Sequence, residues 1–251
     1  MSQVLVLGER SLRELKRKPD ALLPTLLIPL FFLVVNVGQA AKIFPSDSTP
    51  FLKGQSYAAF QLPSCLLLAA SFGTSALFLV EEIESGYFDK LRAAPVSRTA
   101  LALGRLSAES VKSIGMTTVI VLLALPFGIR MASGPLGFVL LFIITAGWAV
   151  GYSGFLQFVA MKTRNAAATN SAGLVFFPLL FLTPNFVPRP LLTRPMEVAA
   201  TFNPVTYVME AMRSLILEDF NWTVIGRGLV VVALFVVLML ALNVRTMRRY
   251  D

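Results

Sequence analysis

The chain has 251 residues, of which 56% are hydrophobic and only 14% are charged, and its mean hydropathy is +0.72. A soluble domain carries roughly 25% charged residues, whereas long apolar blocks between short charged clusters are typical of a protein that crosses a membrane several times. No His occurs and Cys65 is the only Cys, which excludes zinc sites, haem–histidine sites and disulfide frameworks. The net charge of +8 is explained by basic side chains at the cytoplasmic ends of spans, and no nucleic-acid partner is expected.

Residues 4–18 are predicted to form a short helix that lies on the membrane. Apolar or small residues recur at spacings of three and four and share one stripe: Leu5, Gly8, Leu12 and Leu15. The basic residues occupy the other side: Arg10, Arg13, Lys16 and Arg17. This arrangement predicts an interfacial helix, and the length of the apolar stretch that follows argues against a cleavable signal.

Six apolar segments follow and predict an all-α membrane protein with one transmembrane domain over residues 1–251. The predicted spans are 21–39, 57–80, 113–129, 135–161, 167–186 and 228–244. None of these cores contains a charged residue, which argues against the ion relay of a secondary carrier. In the fourth span, Gly147, Gly151 and Gly154 lie on one face and suit the close approach of a neighbouring helix, although glycine is also simply common in membrane helices.

The distribution of basic residues indicates the orientation of the six spans. With both termini on the same side, that side receives 15 of the 22 Lys and Arg residues. These are Arg10, Arg13, Lys16, Arg17, Lys18, Lys90, Arg92, Arg98, Arg105, Lys112, Lys162, Arg164, Arg245, Arg248 and Arg249. The other side receives Lys42, Lys53, Arg130, Arg189, Arg194, Arg213 and Arg227. Because basic residues collect on the cytoplasmic side, both termini are predicted to be cytoplasmic.

A charged segment, 81–98, follows the second predicted span. Its acidic residues come first and its basic residues later, an order that suits the dipole of a short helix. Ile83, Tyr87 and Leu91 are spaced by four and would share one helix face, and Pro95 is expected to end the helix. A cytoplasmic loop needs an apolar face only for docking, and docking onto a partner or onto the protein's own membrane domain both remain open.

Prolines are concentrated before the last predicted span. Six of the chain's 15 prolines lie within residues 178–213, namely Pro178, Pro184, Pro188, Pro190, Pro195 and Pro204. Because proline interrupts a helix, they predict a broken, partly re-entrant outer loop. An apolar stripe follows, formed by Val205, Val208, Met209, Met212 and Ile216. Glu210 and Arg213 are predicted to pair at a spacing of three on the polar side, and a structural lid and a substrate contact both remain open.

Motifs for catalysis and nucleotide binding are missing from the sequence. It contains no Gly-x-x-x-x-Gly-Lys-Ser/Thr phosphate loop, no Gly-x-Ser-x-Gly elbow and no cluster of metal ligands. The chain is therefore predicted to be non-catalytic and to have no cofactor of its own. If it moves a solute uphill, the energy must come from another subunit.

The two polar segments resemble those of permease subunits of ABC-2 type exporters, especially the daunorubicin-resistance-like group of bacterial drug and lipid exporters. In the first segment the matching residues are Glu82-x-Glu84-x-Gly86, Leu91 and Pro95-Val96-Ser97-Arg98. In the second they are Pro188, Pro195, Asn203-Pro204-x-Thr206-Tyr207 and Glu210-x-x-Arg213. The order of the motifs and the six-span layout extend the resemblance over essentially the whole chain.

The resemblance implies a role for each polar segment. The first would hold the coupling helix that enters a cleft of a separate ATPase, with Glu82, Ile83, Glu84, Gly86, Tyr87, Leu91, Arg92, Pro95 and Arg98 as its residues. The N-terminal helix would touch the same ATPase through Arg10, Arg13 and Arg17. The outer loop and lid would hold Pro188, Asn203, Pro204, Tyr207, Glu210 and Arg213. Two ATPases, which bind ATP and Mg, would work with two permeases, identical or related, in the lipid of a bacterial plasma membrane.

The resemblance also places a transport path along the first, second and fifth spans. Aromatic residues there are Phe32, Phe60, Phe72, Phe176, Phe177 and Phe181, and hydrogen-bonding residues are Asn36, Gln61, Ser71, Thr74 and Asn170. A mostly apolar path without fixed charge suits an amphipathic drug-like or lipid-like substrate. Phenylalanine is also common on lipid-facing surfaces, and export of a polysaccharide or glycolipid, or a non-transporting role in membrane assembly, remain as alternatives.

Overall fold

The computed structural model describes residues 3–93 and 97–248, which form twelve α-helices and three short 3-10 turns, with no strand among them. The helices are α1 (Gln3–Arg17), α2 (Pro19–Ala40), α3 (Tyr57–Ala70), α4 (Thr74–Glu84), α5 (Tyr87–Ala93), α6 (Arg98–Ala124), α7 (Gly134–Thr163), α8 (Ala166–Gly173), α9 (Phe176–Phe181), α10 (Arg194–Phe202), α11 (Pro204–Leu217) and α12 (Trp222–Arg248). The predicted all-α class is confirmed for these residues.

Within the described residues, five helical stretches are long and apolar enough to cross a membrane. They are Leu22–Ala40, Tyr57–Glu84, Thr99–Phe127, Gly134–Thr163 and Trp222–Arg248. The protein is therefore a membrane protein, as predicted. The remaining predicted span, 167–186, contains two short helices, α8 and α9, which together form an apolar stretch from Ala166 to Phe181.

The centre of the bundle is formed by α3 and α11. All 14 residues of α3 are buried, because other helices surround it on every side. The apolar stripe predicted on α11 is likewise buried, and its side chains have exposed fractions of 0%: Val205, Val208, Met209, Met212 and Ile216. The stripe is confirmed as a packing surface of α11 inside the bundle.

The glycines of α7 allow α12 to approach closely. A Cβ atom on Gly147 would lie 2.6 Å from Val232 Cγ1, and one on Gly151 would lie 2.5 Å from Phe235 Cδ1. Distances this short leave no room for a side chain, so the predicted small-residue face is confirmed. Because α7 and α12 make the most extensive contact between any two helices here, this face fixes the position of the last span.

The N-terminal helix α1 packs along α6 through small residues. A Cβ atom on Gly8 would lie 3.3 Å from the Gly104 carbonyl oxygen, and Gly8, Ser11 and Leu15 form the buried stripe of α1. The predicted helix 4–18 is confirmed as an element. Leu5, at the start of the predicted apolar stripe, lies outside this buried stripe and is 63% exposed.

The helix of the third span begins earlier than the predicted core 113–129 and carries charged residues ahead of that core. Ser97 caps α6 by accepting a hydrogen bond from the Ala100 amide at 3.1 Å, and the helix continues from Arg98 through Arg105, Glu109 and Lys112. These three side chains are buried within a stretch that is apolar enough to cross the membrane. The predicted core 113–129 itself contains no charged residue, and the three buried charges lie in the preceding turns of α6, where Arg105 pairs with Glu82 and Lys112 pairs with Glu109.

Candidate functional site

The segment after the second span is a tight turn between two helices. α4 ends at Glu84, Gly86 has φ +70°, and α5 begins at Tyr87. Glycine suits this left-handed conformation because it has no Cβ atom. The prediction that Ile83, Tyr87 and Leu91 share one face of a single helix is therefore wrong: Ile83 belongs to α4 and the other two to α5. The end of the bundle that carries this turn, α1 and the start of α6 is here called the turn end.

The three apolar residues of the turn differ in exposure. Ile83 and Leu91 are half-buried and pack against an apolar cluster at the turn end. That cluster consists of Leu79, Val80, Phe88, Leu101, Ala102, Ala160, Met161 and Met247. The Tyr87 ring is 44% exposed and presents an aromatic surface. Pro95 and the side chains of Arg92 and Arg98 lie outside the described part of the chain.

Each carboxylate at the end of α4 has a partner within the protein. Glu81 pairs with Lys18, and Glu82 is buried between Arg10 and Arg105. Because Arg10 belongs to α1 and Arg105 to α6, Glu82 joins three helices in one ion-pair network.

The third carboxylate of the turn reaches a different helix. Glu84 accepts a hydrogen bond from the Ala166 amide at 2.8 Å, so it lies at the N-terminus of α8, where a negative charge is favourable. The acidic residues of this motif therefore bind the turn to α1, α6 and α8.

The predicted ATPase-facing residues of α1 fall into two groups. The Arg10 guanidinium lies 5.2 Å from the centre of the Tyr87 ring, in addition to its pairing with Glu82. Arg13 pairs with Glu9 on the exposed side of α1, and Arg17 is exposed. Near this network, burial and, to a lesser degree, the Glu82 carboxylate raise the pKa of Glu14. Arg10 is therefore part of the internal network, whereas Arg13 and Arg17 face outward.

A pocket of about 390 Å³ lies beside the interruption between α3 and α4. Three of the predicted path aromatics line it, namely Phe72, Phe176 and Phe177, together with Ser71, Thr74 and Asn170. Pro24 and Thr25 of α2 also line it. The structure thus brings together half of the predicted aromatic set with most of the predicted hydrogen-bonding groups.

The other predicted path aromatics lie elsewhere. Phe32 of α2 packs against Phe177 and Phe181 at ring-centroid distances of 6.3 Å and 6.5 Å, so these three rings extend from the pocket along α2. Phe60 is 2% exposed and packs under Arg213, far along α3 from the pocket. The structure therefore places Phe60 in the packed core of this chain.

The interruption of the second span is tied to α7. A Cβ atom on Gly73 would lie 2.6 Å from Leu156 Cδ1 and 3.3 Å from the Ser153 Cα atom, so a side chain here would require Leu156 to move. Trp148 Nε1 donates a hydrogen bond to Ser71 Oγ at 2.9 Å, and the Ser75 and Ser153 hydroxyls lie 2.7 Å apart. α7 therefore supplies polar partners for the residues on both sides of the break.

Two buried charged residues beside the pocket were missed by the sequence analysis. Glu109 and Lys112 of α6 pair with each other and contact the break in the second span. The signal in the sequence was Ser97, a residue type that favours the N-cap of a helix. A helix that begins there includes Glu109 and Lys112 and carries them into the bundle.

At the opposite end, here called the loop end, the proline-rich segment is broken as predicted. A 3-10 turn at Arg189–Leu191, α10 and α11 follow one another with short connections. Asn203 caps α11: its Oδ1 accepts a hydrogen bond from the Val205 amide at 3.0 Å, and its Nδ2 donates one to the Leu179 carbonyl at 2.6 Å. Pro204 occupies the first helical position, where a missing N–H costs nothing.

The predicted pairing of Glu210 with Arg213 is wrong. Glu210 accepts two hydrogen bonds from Arg189, from Nε at 3.0 Å and from Nη2 at 2.9 Å. The Arg189 guanidinium also lies 5.3 Å from the centre of the Tyr207 ring. Arg189 follows Pro188, and the bend of the loop brings it to α11. Glu210 therefore pairs with Arg189 and not with Arg213.

Arg213 instead binds backbone carbonyls. Its Nε donates to the Phe60 carbonyl at 3.1 Å and its Nη2 to the Asn185 carbonyl at 2.8 Å, and Nη1 contacts the Pro184 carbonyl. The guanidinium carbon lies 3.6 Å from the centre of the Phe60 ring. Arg213 therefore fastens the loop after α9 to α3.

The apolar spans, the pocket within the bundle and the charged turn at one end define a polytopic membrane permease. The chain belongs to the ABC-2 type transporter family, whose model matches residues 2–217. The family predicted from the two polar motifs is thereby confirmed.

Two relatives extend the similarity over most of the chain. The chain is 28% identical over 247 residues to the daunorubicin resistance ABC transporter permease protein DrrB1 of Streptomyces coeruleorubidus, with 95% of this chain and 83% of the relative covered. It is 26% identical over 225 residues to the putative transport permease ycf38 of Cyanophora paradoxa, with 86% of this chain and 74% of the relative covered.

Proposed function

We propose that this chain is the permease subunit of an ATP-driven exporter that moves amphipathic, drug-like or lipid-like molecules outward across a bacterial plasma membrane. The observation that carries this proposal is the pocket beside the break, lined by Phe72, Phe176 and Phe177 with Ser71, Thr74 and Asn170. Its volume of about 390 Å³ is that of a site for a drug-sized molecule. Membership of the family and the drug-resistance relative support the same function.

The position of the pocket fits entry from the lipid. Pro24, Asn170 and Ser171 line it and are exposed, so its rim is open on the outside of the single chain. The pocket adjoins Thr74, ten residues before Glu84, and therefore lies about 15 Å along α4 from the turn end. With the turn end in the cytoplasm, this is the depth of the inner leaflet.

The proposed topology has six crossings with both termini in the cytoplasm. The segment 166–186 supplies the crossing that helix length alone does not reveal. Its start binds Glu84 through the Ala166 amide, and the Phe186 carbonyl at its end accepts a hydrogen bond from Tyr57 at 2.9 Å. Since Tyr57 and Glu84 are the two ends of the second span, the segment runs the full length of that span.

A separate ATPase is proposed to dock at the turn end. The exposed Tyr87 ring, supported from below by Arg10, supplies an aromatic contact on a turn fixed by three ion-paired or hydrogen-bonded carboxylates. Because these contacts hold the turn rigid, a movement of the docked ATPase would be passed on to the spans and would not be absorbed by bending of the turn. The working unit would contain two such ATPases, which bind ATP and Mg, and two permeases.

The proposal is tested by binding of daunorubicin, the drug in the name of the Streptomyces coeruleorubidus relative, to the purified chain in lipid nanodiscs. Phe72→Ala and Phe177→Ala should each weaken binding about tenfold, because each removes an aromatic wall of the pocket. Phe202→Ala is the matched control, since Phe202 is 83% exposed and remote from the pocket. The measurement is the change in daunorubicin fluorescence with protein concentration.

The same variants are then compared in proteoliposomes that also hold the proposed partner ATPase. Lipophilic dyes or lipids should stimulate ATP hydrolysis by the wild type, and the two pocket variants should respond less. Stimulation by hydrophilic sugars alone, or equal daunorubicin affinity in all four proteins, would contradict the proposed function.

A further inference from the structure

The break in the second span exposes two helix ends inside the bundle. α3 ends at Ala70 and α4 begins at Thr74, so carbonyl groups of the first helix and amide groups of the second lack their usual helical partners. Within a membrane such groups must be satisfied by the protein. The two ends also carry opposite partial charges, negative at the end of α3 and positive at the start of α4.

A buried ion pair from α6 meets the backbone polar groups of the break with matching charge. Lys112 Nζ donates hydrogen bonds to the Phe72 carbonyl at 2.7 Å and to Thr74 Oγ1 at 3.2 Å. Glu109 Oε2 accepts a hydrogen bond from the Ser75 amide at 3.4 Å, and the two charged side chains pair with each other. The cation thus lies at the Phe72 carbonyl, in the connection that follows α3, and the anion lies at the amide end of α4.

The contacts between α6 and α4 are in register. Arg105 and Lys112 are seven residues apart on α6, a rise of about 10.5 Å. Their partners on α4, Glu82 and Thr74 with the adjacent Ser75, are separated by nearly the same length along the antiparallel helix. α6 therefore holds α4 at both of its ends.

The same contacts form one wall of the pocket. Phe72 and Thr74, which Lys112 binds, both line the pocket, whereas the charges of Lys112 and Glu109 lie behind them and are buried. We propose that Glu109 and Lys112 are positioning residues for transport, which fix the break of the second span and so keep the pocket open. The inference rests on the proposed function in that the pocket is taken as the ligand site.

The charge order distinguishes this role from that of an ordinary buried ion pair. In the exchanged variant, Glu109→Lys with Lys112→Glu, the pair is retained, but each charge faces a backbone group whose partial charge has the same sign. An ordinary pair would tolerate the exchange. A pair that fixes the break, here called the clamp, would not tolerate the exchange. The anion would then lie against the Phe72 carbonyl and the cation against the Ser75 amide.

The test measures daunorubicin affinity for single variants and for the exchanged variant in nanodiscs. Glu109→Gln and Lys112→Met should lower daunorubicin affinity about tenfold, and the exchanged variant should bind no better than either. Lys112→Arg keeps the cation and its donors and should retain affinity within about threefold. Glu197→Gln is the matched control, because Arg194 and Glu197 form an exposed pair with the same spacing of three.

A second measurement of the break needs no ligand. Spin labels are attached to Lys53→Cys and Ser85→Cys in a Cys65→Ser background. Both positions are exposed and lie near opposite ends of the second span, so the distance between the labels reports the bend of that span. The wild type and Lys112→Arg should give one narrow distance distribution. The single neutral variants and the exchanged variant should give a broader or longer one, because the two helices are no longer held at a fixed angle.

The two measurements separate the failure of this inference from the failure of the proposed function. An exchanged variant with wild-type affinity and wild-type spin-label distances would overturn the clamp. So would single neutral variants that match the wild type in both measurements. If the wild type binds no daunorubicin, the proposed substrate class is wrong, and the spin-label distances alone then decide whether Glu109 and Lys112 fix the break.

Discussion

Arg213 shows how a single buried cation can hold a loop inside a membrane protein. It donates hydrogen bonds to three carbonyl oxygens, those of Phe60, Pro184 and Asn185. These buried acceptors therefore do not depend on water for a hydrogen-bond partner. Prolines near these residues prevent a regular helix, so the carbonyls need another donor. The five N–H groups of a guanidinium supply donors in several directions at once, which the single ammonium of lysine cannot match.

Replacing Arg213 should therefore destabilise the protein without changing its fold. Arg213→Met leaves the carbonyl groups unpaired, each at a cost of about 1–3 kcal/mol, and should lower the melting temperature by roughly 10 °C. Arg213→Lys should fall between this variant and the wild type. The measurement is thermal unfolding in detergent, followed by tryptophan fluorescence.

The control for this prediction is Arg194→Met. The Arg194 side chain is 81% exposed and, among the residues that the structure describes, its ion-pair partner is Glu197 alone, so its loss should leave the melting temperature nearly unchanged. A melting temperature of Arg213→Met equal to that of Arg194→Met would show that the carbonyl contacts do not stabilise the loop.

Among the helical elements, the turn between α4 and α5 is held in place by its carboxylates and exposes the Tyr87 ring. Glu82 joins the turn to α1 and α6, and Glu84 joins it to α8. Leu91 packs against the cluster at the turn end, so a polar substitution there would disturb folding as well as docking. Tyr87 is the better probe of docking, because its ring is 44% exposed.

Tyr87→Asp should weaken binding of the ATPase while the permease still inserts. The substitution places a charge at the proposed aromatic contact, where burial on docking would be unfavourable. We expect at least a tenfold loss of ATPase affinity, measured by co-purification and by the ATP hydrolysis that the permease stimulates. Phe202→Asp alters an exposed aromatic at the loop end and should leave both measurements unchanged.

Gly86 offers an independent test of the same element. Gly86→Pro forces φ to about −65°, opposite in sign to the observed +70°, and should distort the turn and abolish docking. Docking and stimulated hydrolysis that persist in both Tyr87→Asp and Gly86→Pro would place the ATPase contact elsewhere.

For the molecule as a whole, the broken segment 166–186 decides the topology. Helix length alone gives five spans in the described part of the chain, and an odd number of crossings would put the two termini on opposite sides of the membrane. The contacts of Ala166 with Glu84 and of Phe186 with Tyr57 favour a sixth crossing. α8 and α9 can cross in two pieces because α3, α4 and α7 pack around them.

Single cysteines in a Cys65→Ser background test this topology in intact cells. Thr163 and Thr193 are exposed and bracket the broken segment, and Ser97 is exposed at the turn end. An impermeant maleimide should label Thr193→Cys but neither Thr163→Cys nor Ser97→Cys until the cells are opened. Equal labelling of Thr163→Cys and Thr193→Cys would mean that the segment does not cross, and labelling of Ser97→Cys alone would invert the orientation.

Much of this molecule could be predicted from the order of its residues. Apolar length predicts most of the spans, and glycine spacing predicts the face of α7 that receives α12. The acidic turn and the proline-rich segment predict the family. These features depend on residues close in sequence, because span length, helix periodicity and short motifs are local properties.

The partners of the charged side chains were decided only by the tertiary structure. Glu210 lies three residues from Arg213 on α11 but pairs with Arg189, because the proline-rich loop bends back onto the helix. Glu109 and Lys112 lie at the break of another span, although the sequence places them before a predicted span. A buried charge takes the partner that long-range packing brings within reach, since an unpaired charge inside a membrane is too costly to retain.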